Sequence, residues 1–190
     1  MQLEAVCEGG CALADGRSGK AIRLDGKSGR VTLQGADAAR LAPTNLTLTA
    51  WVKPDAVANR SGIAQRQNWP AGYALYLWNG SLAAEAGEKG EPARCRTGDS
   101  LLQPGAWRHV ALTVASGQTI EIFVDGSSVK RETTQHALGV SSDAFRIGWN
   151  GWGGIQNDSS PGRFAGCIDE VKVFDRVLTA DEILAEVAGK

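Results

Sequence analysis

Apolar and polar residues alternate along most of this chain with the period of two expected of half-buried strands. The clearest stretch is Gly105–Val129. Val110, Leu112 and Val114 alternate with Ala111 and Thr113, then Ile120, Ile122 and Val124 alternate with Glu121 and Phe123. The link from Ala115 to Thr119 contains Gly117, so the two strands are predicted to fold back as an antiparallel hairpin. Asp125-Gly126 supplies a second tight turn, after which Ser127–Lys130 returns. The other face of the first strand carries Trp107, His109 and Ala111, which is not a plainly solvated set. A second layer, or a ligand, is expected against it.

Further strands are predicted at Ala21–Gly26, Val31–Leu33, Leu46–Val52, Gly62–Gln67, Tyr73–Trp78, Ser81–Glu85, Ala93–Thr97, Phe145–Gly148 and Cys167–Phe174. Pro54 marks the exit of the third, because it cannot donate to a ladder. Asn79-Gly80 is the strongest short-range hairpin signal, since both residues tolerate the left-handed conformations of a type I′ turn. Residues 1–20 are Gly-rich and weakly patterned, a loosely held lead-in that Cys7 and Cys11 could pin to the body. One helix stands out at the other end. Thr179-Ala180-Asp181-Glu182 forms a capping box, and the helix is predicted to run to about Val187, packing through Ile183, Leu184 and Val187. Short strands with Gly-rich turns and almost no helical period predict an all-β sandwich with a short C-terminal helix.

The ordered segments AIRLDG, LTLTAWVKPD, GIAQR, YALYLWNGSLAAE, PGAWRHVALTV, IEIFVDGSSV, FRIGWN and FAGCIDEVKVFDRVLTADEI carry a resemblance. Together, over roughly residues 20–187, they resemble the laminin-G-like branch of the concanavalin A-like lectin/glucanase superfamily. The resemblance implies a jelly-roll β-sandwich of two antiparallel sheets over residues 1–190. It also implies an accessory module of a secreted, periplasmic or cell-surface multidomain protein. Fold alone does not assign function, because this superfamily holds binders, enzymes and structural modules.

Composition narrows the partners. The 190 residues are 43% hydrophobic with a formal net charge of −1, enough to bury one sizeable core. Interspersed charges without a basic surface argue against nucleic acid and against an anionic membrane. No apolar run approaches the ~20 residues of a bilayer span, and Met1 is not followed by a basic segment and apolar stretch of the signal-peptide kind. The chain is expected to be an excised module. Of the four cysteines, Cys7, Cys11, Cys95 and Cys167, only the first two are closely spaced, so disulfides of open connectivity are expected rather than zinc. Disulfides point to an oxidising compartment.

Catalysis finds little support in these residues. Glucanases of the resembled superfamily set carboxylates on one strand face as E-x-D-x-x-E, one to protonate the leaving oxygen and one to attack the sugar. Here Glu85 stands alone at that spacing, Asp169 and Glu170 fall on opposite faces of a strand, and neither His109 nor His136 has a Ser or Cys motif to serve. A hydrolase or lyase therefore stays an alternative, as does a structural or protein-adhesion domain.

Aromatic residues point instead to a polysaccharide. An exposed indole offers a flat apolar platform to the C–H face of a sugar, and nearby amide or guanidinium groups fix the hydroxyls. Trp51 and Trp107 sit in strand segments and are expected in the core, with His109 a structural histidine. Trp69, Trp149 and Trp152 sit in Gly-, Asn- and Pro-rich segments expected to be surface loops. Trp149, Asn150 and Trp152, followed by Asn157 and Asp158, form the first candidate site. Tyr76 and Trp78 share a strand face, and Arg66, Arg94 and Arg96 are candidates to bind acidic groups beside them. Calcium is the one cofactor the resemblance implies, with Asp25 and Asp169 at matching positions; the spacing itself is not that of an EF-hand.

Overall fold

Leu46, Leu48, Ala50 and Val52 leave one face of a single strand, β5 (Leu46–Pro54), and all are fully buried. Val110, Leu112 and Val114 of β10 (Arg108–Ala115) and Ile120, Ile122 and Val124 of β11 (Thr119–Val124) extend that face sideways. Opposite them lie Tyr73, Leu75 and Leu77 of β7 (Ala71–Trp78) and Leu82, Ala84 and Ala86 of β8 (Ser81–Gly87). These two apolar faces close on each other to form one core. Each fully buried Leu, Ile or Val contributes about 1.5–3 kcal/mol, which is what drives the layers together.

The computed structural model describes residues 5–33, 40–57, 60–99, 101–151 and 162–189. Among them it forms a jelly-roll sandwich of two antiparallel sheets. The first sheet has the order β1 (Ala5–Glu8), β4 (Arg30–Leu33), β13 (Phe145–Ile147), β6 (Arg60–Asn68), β7, β8 and β9 (Ala93–Asp99). The second runs β12 (Ser127–Thr133), β11, β10, β5, β14 (Ala165–Phe174), β3 (Lys20–Asp25) and β2 (Cys11–Asp15). The expected hairpins form at Ala115–Thr119 and at Asn79-Gly80, where Asn79 takes a φ of 49°.

Residues 5–15 are not a loose lead-in. They form β1 and β2, which add an edge strand to each sheet, and a Cys7–Cys11 disulfide ties those two edges. Their apolar pattern is weak because edge strands bury little: Val6 is 49% and Leu13 77% exposed.

The C-terminal helix, α1 (Ala180–Ala188), begins at the expected capping box: Thr179 accepts from the Glu182 amide while the Glu182 carboxylate accepts from the Thr179 N–H. Buried Ile183, with Leu178, packs against Ala111 and Phe123 on the outer face of the second sheet. A second layer or a ligand is expected against the Trp107–His109–Ala111 face, and at Ala111 it is this helix. The helix covers only part of that face, and Trp51 and His109 lie beside its C-terminal end.

Candidate functional site

The register of the first sheet sets side chains in rows. With Leu75, Leu77, Leu82 and Ala84 turned inward, their neighbours must face out. One outer row runs Thr32, Arg146, Gln65, Ala74, Glu85, Arg94 across six strands. The next passes through Gly62, Tyr76, Ala83 and Arg96. Glu85 is the hub. Its side chain is buried, and it accepts from the Tyr76 hydroxyl at 3.0 Å, Gln67 Nε2 at 3.2 Å and Arg94 Nε at 3.0 Å. A carboxylate removed from water needs such donors, because an unpaired buried charge costs several kcal/mol. Burial, reinforced by the Glu85 carboxylate, raises the Tyr76 phenol far above its ordinary pKa and keeps it a hydrogen-bond donor. Elsewhere on this face Thr32 Oγ1 and the Gln65 side-chain amide are buried without a hydrogen-bond partner.

Beside the hub, Tyr76 and Trp78 meet edge to face at 6.5 Å, with Arg60 over the Trp78 ring at 5.2 Å. They line a cavity of about 220 Å³ with Ala83, Glu85, Arg94 and Arg96. This volume is below the usual range of small-molecule sites, about 300–1,000 Å³, and suits part of a chain rather than a whole small molecule. Arg96 is exposed at its rim.

The other expected site residues distribute unevenly. Trp149 is a correction: instead of standing on a surface loop it is 5% exposed. Arg30, Arg146 and Arg163 lie over its ring at 5.6, 5.0 and 5.7 Å. Arg146 is held in turn by Asp143, and Arg30 by Glu8. Asn150 is likewise buried, its side-chain amide without a partner, and the Trp149–Asn150 backbone passes over Gly62 so closely that a Cβ there would lie 2.1 Å from it. Arg66 is also buried, and it donates to the Ser141 carbonyl from Nε and Nη2 rather than facing a ligand. Trp69 is 39% exposed, but it sits in the turn at the far end of the β6–β7 hairpin from Trp78. At about 3.3 Å per residue, the eight residues of β7 hold these two indoles apart by more than a single sugar ring spans. Trp152, Asn157 and Asp158 lie outside the described residues. Tyr76, Trp78, Trp149 and Asn150 thus share one half of one sheet, while Trp69 and Arg66 do not join them.

Cys95 and Cys167 are buried free thiols, so only the first two of the four disulfide candidates pair. Desolvation pushes the Cys95 thiol up to about 12, which makes it unreactive.

Asp25 and Asp169 do not converge on a cation. Asp169 is four residues beyond Ala165, which pairs with Asp25, an offset of roughly 13 Å along the strands. Asp25 Oδ1 accepts from the amides of Lys27, Ser28 and Gly29, and these donors hold its carboxyl well below the usual carboxylate range. Asp169 accepts from the amides of Arg17, Ser18 and Glu170. Both carboxylates therefore face N–H groups, the electrostatic opposite of a calcium cage. Among the described residues no group of three His, Cys, Asp or Glu side chains is set to hold a metal ion.

Catalytic geometry is not assembled around Glu85. Its neighbours on the outer face are Ala74, Gln67, Tyr76, Ala83, Arg94 and Arg96. Glu91, an exposed acid, is bonded to the same Arg94. Glycoside cleavage needs two carboxyl groups on either side of the scissile bond, and this arrangement spends its arginine on both.

The model of the Laminin_G_3 family, of the concanavalin A-like lectin/glucanases superfamily, matches residues 25–184. The chain belongs to this superfamily. Solved structures agree on the fold at low identity. The binding domain of Paraclostridial Mosquitocidal Protein 1 superimposes with a TM-score of 0.78 at 14% identity, over 98% of this chain and 47% of that one. Domain 4 of AbnA, an extracellular GH43 arabinanase from Geobacillus stearothermophilus solved with arabinotriose, gives 0.68 at 22% identity, over 95% and 82%. The binding domain of botulinum neurotoxin DC with SialylT gives 0.73 at 11%, over 98% and 46%. This laminin-G-like chain spans about half the length of the toxin binding domains. No curated protein matches it by sequence. These likenesses show the fold.

Proposed function

We propose that this protein is a non-catalytic carbohydrate-binding module that takes a polysaccharide on the outer face of its first sheet. The observation that carries the reading is the Tyr76–Trp78 pair bordering an open cavity rimmed by Arg96. The Trp78 indole supplies the apolar surface on which a sugar ring stacks. Glu85, pinned by Tyr76, Gln67 and Arg94, fixes the floor and fixes Arg94 with it. Arg96 is the group best placed to take a carboxylate or sulfate, in a bidentate pair, which favours an acidic glycan. The Cys7–Cys11 disulfide fits a secreted, periplasmic or cell-surface setting. No described helix is long and apolar enough to cross a membrane. The similar structures are parts of larger proteins, which supports a place in a multidomain chain.

The test is a glycan array followed by affinity retention with Trp78→Ala and Arg96→Gln. Losing a stacked ring worth about 1–2 kcal/mol weakens binding about 5–30-fold. Trp78→Ala is expected to lose retention on every bound glycan with an unchanged Tm, and Arg96→Gln only on acidic ones. Full retention by Trp78→Ala would leave the sheet face without its role, and an array empty of glycans would favour a protein-adhesion domain.

A further inference from the structure

On the opposite side of the sandwich, the part of the second sheet that α1 leaves uncovered opens into a cavity of about 370 Å³. Its floor is the Trp51–His109 pair, neighbours across β5 and β10 whose rings meet at 5.5 Å and 71°. Trp51 is half-buried, while His109 is 2% exposed with Nδ1 lacking any partner. Its walls come from three separate pieces of chain: Arg17 from the β2–β3 turn, Glu170 and Lys172 from β14, and Glu186 from the end of α1. Two backbone features make this wall. The ladder between β14 and β5 is irregular from Asp169 to Lys172, and Glu170 takes a φ of 48°, so that Glu170 lines the cavity on the same outer face as Asp169 instead of the opposite face that simple alternation predicts. Asp169 accepts from the Arg17 and Ser18 amides and so fixes the turn that carries Arg17.

The volume lies in the lower part of the range of small-molecule sites, about 300–1,000 Å³, and suits one or two sugar rings. The lining charges cancel. Lys172 sits 2.7 Å from Glu186 and 3.7 Å from Glu170, and Arg17 brings the second cation. An anion would meet two carboxylates here, and a cation an ammonium and a guanidinium. A neutral ligand covered in hydroxyl groups can use both, donating to the glutamates and accepting from Lys172 and Arg17, while its C–H face lies on the indole. We infer that this cavity is a second ligand site, selective for a neutral saccharide unit, and independent of the Trp78 face on the other sheet. The guanidinium of Arg17 lies over the Trp51 ring at 4.8 Å and must swing aside or share that ring when the sugar enters. It is an exposed turn residue, free to do so at little cost.

The experiment is an NMR titration of the intact chain with the methyl glycosides of glucose, galactose, mannose, xylose and arabinose, each to tens of millimolar. The Trp51 indole N–H and the His109 ring signals are followed. Saturable shifts at both with at least one neutral glycoside are expected, unchanged in Trp78→Ala and weakened at least fivefold in Lys172→Met. Lys172 is partly exposed, so its variant is expected to keep the fold, and an unchanged amide spectrum checks this. No shift with any glycoside, or a shift that Lys172→Met leaves alone, overturns the site. The Trp78→Ala arm keeps this outcome separate from that of the first face.

Discussion

His109 makes the fold sensitive to mild acid. Burial lowers its pKa from 6.5 to about 4; the Glu186 and Asp125 carboxylates oppose that shift and Lys172 adds to it. The unfolded chain therefore takes up a proton near pH 6.5, whereas the folded chain holds the imidazole neutral until about pH 4. Between those values the unfolded state binds more protons, so stability is complete above pH 6.5 and falls as the pH drops towards 4. The loss is at most the shift of about 2.5 units times 1.36 kcal/mol, about 3 kcal/mol. For a domain of this size that is a fall in Tm of about 6–12 °C. Thermal unfolding followed by circular dichroism in half-unit pH steps measures it. His109→Phe keeps the aromatic contact with Trp51 and cannot titrate, so its profile should lack this loss across the window. Asp25 and Glu182 do not confuse the result. Their folded pKa values are lowered, so their stabilisation starts to be lost only at the acid end of the window, as the pH falls towards the ordinary carboxylate range, and it is lost equally in both proteins; the difference between the two profiles reads His109. An equal acid-dependent loss in His109→Phe would refute the argument.

Thr179→Ala removes the capping box of α1 and should cost about 1 kcal/mol, lowering Tm by about 2–4 °C; no change would mean that the helix is held by Ile183 alone. Because Asp25 and Asp169 are engaged by backbone amides and lie apart, EDTA and added calcium should both leave Tm unmoved, whereas a calcium-dependent rise would reveal an ion seat on this fold. Cys95 and Cys167 should resist a thiol-titrating disulfide reagent in the native protein, with two thiols per chain appearing on unfolding and four after reduction.

The sandwich was largely legible from the alternation of apolar residues, since a strand with one buried face records its own geometry: β5, β10 and β11 carry their inward sets without exception. The capping box was equally readable, because its partners lie three residues apart. Edge strands β1 and β2 were not, as a strand that buries little leaves little trace. The site was only half legible. Tyr76 and Trp78 follow from the leucines that alternate with them, but the Gly- and Asn-rich segment around Trp149 does not mark it as buried: Arg146, three positions before it, closes over the ring only together with Arg163 and with Arg30 from β4.

By itself, then, the sequence determined the two-layer scaffold, its main hairpins, its helix start and the expectation that the Trp107–His109–Ala111 face would be covered. Only the tertiary structure decided which aromatic rings remain at an open surface, that Asp25 and Asp169 turn to backbone amides, and that Trp51, His109 and three distant chain segments enclose a cavity. The physical reason is range: periodicity and capping are written by neighbours within one element, whereas burial, electrostatic pairing and cavity walls depend on residues that meet only after the sheets have closed on each other.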